Sequence, residues 1–102
     1  MKKLFFLAAF FIASIFAYAI PSGCYSGTSR PHRDRCAIQI SDNILYMTSR
    51  DGTVTAKWTI VSDKDGILTL RSEYGATLSA SWWVDEDGDV HLNLNYETFT
   101  RM

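Results

Sequence analysis

Apolar residues fall on even-numbered positions over most of the chain after Ile44: Tyr46, Trp58, Ile60, Leu68, Leu70, Leu78, Trp82, Val84, Leu92, Leu94 and Tyr96. The odd positions between them are mainly polar, with Thr55, Lys57, Thr59, Thr69, Arg71, Thr77, Ser79, Ser81, Asn93, Asn95 and Glu97. A period of two predicts strands with one buried face. Four x-x-Gly units punctuate them: Arg50-Asp51-Gly52, Lys64-Asp65-Gly66, Glu73-Tyr74-Gly75 and Glu86-Asp87-Gly88. Each suits a three-residue hairpin loop whose glycine takes the left-handed conformation.

Such loops place Tyr46 opposite Ala56, Ile44 opposite Trp58, Ile60 opposite Leu70, Leu70 opposite Leu78 and Trp82 opposite Leu92. A loop of odd length keeps even residues paired with even ones, so turn and pattern agree on the inward face. The strand from Cys36 is joined by an Asp42-Asn43 turn whose register the sequence leaves open. Beyond the first residues no stretch has helical periodicity. The expected fold is all-β: an antiparallel meander of about six strands over 36–99, curled into a barrel or a two-layer sandwich.

The first 19 residues read as a targeting segment. Lys2 and Lys3 precede an apolar run from Leu4 to Phe16, and Ala17-Tyr18-Ala19 is an A-x-A cleavage pattern. The run is shorter than the roughly 20 residues of a membrane span. Its removal leaves 83 of the 102 residues as one small domain, 20–102, exported to the periplasm or medium. Lipid attachment at Cys24 would instead tie it to a membrane, but Pro21-Ser22-Gly23 suits that route poorly. A domain this small needs a covalent staple. Cys24 and Cys36, the only cysteines, are expected to form it, closing a loop of 13 residues worth about 3 kcal/mol.

That loop carries Arg30, His32, Arg33, Asp34 and Arg35, whereas the processed chain as a whole has a net charge of −3. Nucleic acid is excluded as a partner on that balance. A solvated surface loop accounts for the charges; a surface that docks an anionic protein would use them as well. On the outer face Trp83 is expected opposite His91, either as an exposed anchor or beneath the N-terminal segment. The pattern fixes no acid or nucleophile beside His91, and no paired carboxylates look buried, so no catalytic residues and no cofactor are expected. Asp85-Glu86-Asp87-Gly88-Asp89 resembles the start of a calcium loop but has Val90 and Tyr96 where that loop needs Gly and Glu, so no metal is expected either.

Gly23-Cys24-Tyr25, Asp51-Gly52-Thr53, Trp58-Thr59-Ile60 and Gly66-Ile67-Leu68-Thr69-Leu70 together resemble the opening and middle strands of small bacterial lipocalin-like domains. The resemblance spans about half of the processed chain, and Tyr25 stands where those domains often have Trp. It implies a barrel that binds small apolar molecules or proteins without catalysis. Three functions are then in view. The first is an exported binding protein, with inhibition as one outcome of binding, that takes an unidentified protein partner through Arg30, His32, Arg33, Arg35, Trp83 and His91. The second is a carrier holding a small apolar ligand among Tyr46, Trp58, Trp82 and Tyr96. A structural module of the cell envelope is a third.

Overall fold

The computed structural model describes residues 19–102; the expected leader lies outside them, apart from its last residue, Ala19. Eight strands run β1 (Gly23–Ser26), β2 (Ile38–Ser41), β3 (Ile44–Thr48), β4 (Val54–Lys64), β5 (Ile67–Ser72), β6 (Thr77–Val84), β7 (Val90–Leu94) and β8 (Glu97–Arg101). Each pairs antiparallel with the next, and β1 pairs with β8, so the sheet is a closed barrel. The N-terminal segment and the last residues, assigned no separate strands by the pattern, supply β1 and β8 and close it.

The interior is filled by side chains. Tyr25, Ile38, Ile40, Leu45, Leu68, Leu70, Leu92, Leu94 and Phe99 are all fully buried. At roughly 25 cal/mol per Å2 of apolar surface, such burial is the main favourable contribution to folding. The Tyr25 hydroxyl donates to the Pro21 carbonyl oxygen at 2.6 Å. Burial pushes the Tyr25 phenol up to about 12, against the Arg101 charge, which pulls it down.

Three hairpins have the expected three-residue loops. Gly52, Gly75 and Gly88 have φ of 87°, 86° and 87°, and each N–H donates to the carbonyl oxygen three residues earlier. The registers Leu70↔Leu78, Leu68↔Ala80, Trp82↔Leu92 and Trp83↔His91 follow. The fourth differs. Lys64 pairs with Ile67, so the loop is Asp65-Gly66 alone, both at positive φ, the arrangement that Asp-Gly favours in a two-residue turn. That shortening would turn the strand over, but Val61 is bulged out of β4 and restores Ile60↔Leu70.

Two further departures come from the same physics. β4 carries another bulge at Thr55, which pairs Tyr46 with Lys57 and Leu45 with Trp58 instead of Tyr46 with Ala56. Leu45 therefore enters the core and Tyr46 faces outward. The expected last strand is also cut in two: Asn95 and Tyr96 form a tight turn at φ 52° and 67°, and Leu94 pairs with Glu97. Asn tolerates that conformation, but Tyr is no turn residue, which is why the pattern shows no break there. Tyr96 is fully exposed, at 102%, and Glu97, expected outside, turns inward with Phe99.

Because the strands alternate in direction, the β1–β2, β3–β4, β5–β6 and β7–β8 loops share one rim, here the upper rim. Arg30, Arg33 and Arg50 lie there. The lower rim collects Asp42, Asp65, Glu86, Asp87 and Asp89, whereas on the upper rim Arg30, Arg33, Arg35 and Arg50 stand against Asp34, Asp51 and Glu73, so the net negative charge is concentrated at the lower end.

A left-handed tyrosine with no buried surface carries a backbone cost that asparagine largely avoids. Tyr96→Asn should raise stability by about 0.5–1 kcal/mol, read from the urea midpoint at unchanged slope; a fall in the midpoint would show that the Tyr96 ring contributes to the fold.

Candidate functional site

The disulfide joins Cys24 and Cys36, whose Cα atoms are 5.0 Å apart, and closes the β1–β2 loop over the upper rim. It takes the sulfur that lipid attachment at Cys24 would need. The loop is fastened from beneath by Glu97. One carboxylate oxygen accepts the Thr28 and Ser29 N–H groups at 3.0 and 2.9 Å, and the other contacts His32 Nδ1 at 2.9 Å. The same His32 nitrogen lies 2.9 Å from the Ser29 hydroxyl, and its ring packs on Phe99 with centroids 5.5 Å apart. Burial pushes the Glu97 carboxyl up, but hydrogen bonds from Ser29 and His32, with the His32 charge, leave it below its ordinary value. Gly27 is confined here: a Cβ would run into Glu97, His32 and Phe99.

Arg35 is committed inside the loop as well. Its Nε donates to the Pro31 carbonyl oxygen at 2.6 Å, and Nη1 donates to the Thr48 carbonyl oxygen at 3.0 Å. Thr48 Oγ1 in turn donates to the Cys36 carbonyl oxygen at 2.7 Å. His32 and Arg35, expected to face a partner, thus hold the loop together. Arg30 and Arg33 are exposed and take part in no ion pair among the described residues. Arg50, which the sequence pattern did not single out, joins them on the rim, its Nη2 donating to the Arg30 carbonyl oxygen at 3.3 Å.

Trp83 and His91 sit on the outer wall in the expected register, their ring centroids 5.4 Å apart, and Trp83 is 43% exposed. It does not lie beneath the N-terminal segment. His91 has the neighbours that the pattern did not supply: Asp85 Oδ2 is 2.7 Å from Nε2, and Thr100 Oγ1 is 2.9 Å from Nδ1. The His91 hydrogen bond, then the Asp89 N–H, lowers the Asp85 carboxyl below its ordinary value. Acid, imidazole and hydroxyl are thus in series. Thr100 lies within β8, however, paired on both flanks to His91 and Ser26, so ladder-bound N–H groups offer a developing oxyanion no donor. The row Trp83, His91, Thr100, Ser26 crosses three strand spacings of about 4.8 Å and ends where the disulfide loop begins.

The four aromatics of the carrier alternative do not converge. Tyr46 faces out, Tyr96 stands in solvent, and Trp82 is buried with Nε1 donating to Asp63 at 2.9 Å. Trp58 alone of the four lines an open groove of about 370 Å3, with Thr55, Lys57, Glu73 and Tyr74. In the acidic β6–β7 turn Asp85 Oδ1 accepts the Asp87 and Asp89 N–H groups, both at 2.9 Å. Among the described residues no group of three or more His, Cys, Asp or Glu is placed to hold a metal ion.

Glu97→Ala should destabilise the barrel by about 1–3 kcal/mol by orphaning two N–H groups and should speed amide exchange at Thr28 and Ser29. With its folded pKa depressed, Glu97 contributes stability above its ordinary pKa and loses it as pH falls through the lowered value. The gap between wild type and variant in urea unfolding should therefore close in acid; a pH-independent gap would overturn the clamp. Comparisons with protein-family models, curated proteins and solved structures find no match to this chain.

Proposed function

We propose that the chain is an exported, non-enzymatic binding protein that captures a protein partner through anionic groups on that partner. The observation that carries this reading is the β1–β2 loop. Three devices fix it: the disulfide, the Glu97 clamp and the Arg35 fork. Yet Arg30 and Arg33 are exposed and form no ion pair among the described residues, although Asp34 follows Arg33 in the chain, and Arg50 is next to Arg30. Ordering the loop beforehand removes an entropy cost that binding would otherwise meet. Guanidinium groups suit carboxylate partners by their forked donors.

Two aromatic side chains extend the surface. Tyr96, immediately before Glu97, is held out at the rim in a strained conformation, which is the kind of outlier that points to use. Trp83 lies at the far end of the row that starts at the foot of the loop, and Trp, Tyr and Arg are the residues that anchor protein interfaces. The disulfide fits an oxidising, exported location. The filled interior gives a carried ligand little room, so this reading leaves the lipocalin-like resemblance at the level of barrel shape.

The experiment is capture from the native envelope and medium with partner identification by mass spectrometry. The combined variant Arg30→Ser, Arg33→Ser, Arg50→Ser should keep the wild-type Tm within a few degrees and lose at least tenfold in affinity for the captured protein. Undiminished capture by that variant overturns the loop's role, and capture of no protein at all overturns the reading.

A further inference from the structure

The two-residue turn at Asp65-Gly66 and the bulge at Val61 together aim Asp63 into the lower end of the barrel. There Oδ2 accepts the Ile20 N–H at 2.8 Å and Oδ1 accepts Trp82 Nε1 at 2.9 Å. Asp63 is half-buried and belongs to no ion pair among the described residues. Each carboxylate oxygen already accepts one neutral donor, and a cation beside it would turn one of these contacts into a stronger, charge-assisted one. The other charged or titratable groups at this end are engaged elsewhere or exposed: Arg101 donates to the Ser22 carbonyl oxygen, Tyr25 to that of Pro21, Asp85 is paired with His91, and Asp42, Lys64, Asp65, Glu86, Asp87 and Asp89 face solvent.

The chain offers such a cation one residue beyond the expected cleavage point. Ala19, last residue of the A-x-A pattern, is exposed, whereas Ile20 is 8% exposed and belongs to the core. Among the described residues, Ile20 is the first that is buried. We propose that hydrolysis of the Ala19–Ile20 bond frees the α-amino group of Ile20 and that Asp63 is the site built to bind it as an ammonium. The step consumes one water and needs a leader peptidase. The new carboxylate leaves with Ala19, and the new amine stays on Ile20, where it takes a proton at neutral pH. The nitrogen already lies at hydrogen-bond distance from Asp63, so the contact becomes a charge-assisted one without a change of backbone path. Loss of Ala19 opens the outer side of that nitrogen to water, which solvates the two added N–H bonds. The proposal rests on export of the chain and not on its partner, so failed capture leaves it untouched.

Intact mass of the exported protein should give a chain starting at Ile20; another start overturns the proposal. Thermal unfolding then compares this chain with one carrying an extra Gly before Ile20, each with and without Asp63→Asn. The added Gly should lower Tm by about 4–8 °C with Asp63 present and hardly at all in Asp63→Asn. An equal drop in both backgrounds, or none, overturns the ion pair. A second readout keeps the test decisive if Asp63→Asn folds poorly. NMR titration of the α-amino group in the wild type should place its pKa above the ordinary range of about 7.7–8.0, and a value inside that range overturns the proposal. With the folded pKa raised, the added stability is full below the unfolded value and is lost as pH rises through the folded one.

Discussion

The barrel is closed by four residues. β1 meets β8 only at Tyr25↔Arg101 and Ser26↔Thr100, the shortest ladder in the sheet. Without it, β1 and β8 would be open edges, and a meander of short strands would have two unpaired rims of backbone groups. Much of the polar chemistry in the molecule serves to keep this seam shut. The disulfide ties β1 to the approach to β2, Glu97 holds the loop above it, and Arg101 and the Met102 N–H reach back to Ser22 and Cys24. Asp63 fastens the chain just before it.

Asp63 and Glu97 have a common origin. Each precedes or follows a two-residue turn, Asp65-Gly66 or Asn95-Tyr96, that reverses the expected parity and swings an acid inward at one end of the barrel. Inward charges at barrel ends are costly unless met by donors, and each here finds N–H groups of the N-terminal segment. The segment that lacks a strong strand pattern is therefore held in part by hydrogen bonds that its N–H groups donate to the two carboxylates.

The sequence was most informative where turn chemistry was strongest. Glycines at 52, 75 and 88 determine three hairpins, and through them the β5–β6–β7 register down to Trp83↔His91. Bulges leave little trace: neither Thr55 nor Val61 differs in type from its neighbours, yet each shifts a register, and Thr55 exchanges Leu45 for Tyr46 in the core. The Asp65-Gly66 turn was open to recognition as the two-residue type, whereas Asn95-Tyr96 was hidden by its tyrosine. Of the surface groups, Arg30, Arg33, Trp83 and His91 stand where alternation and the staple put them. The contacts that tie His32 and Arg35 into the loop were not legible, because a charge in a loop gives no sign of whether a carbonyl or carboxylate from a distant strand will claim it.

The uneven placement of charge between the two rims gives the molecule a direction. The lower rim is strongly acidic, while the upper rim, where four arginines stand against Asp34, Asp51 and Glu73, is close to neutral, so charge is uneven along the barrel axis. In the field of an anionic surface such a body turns before it touches, presenting the disulfide loop and keeping the acidic turns away. For any such surface, orientation would be biased during approach rather than after contact.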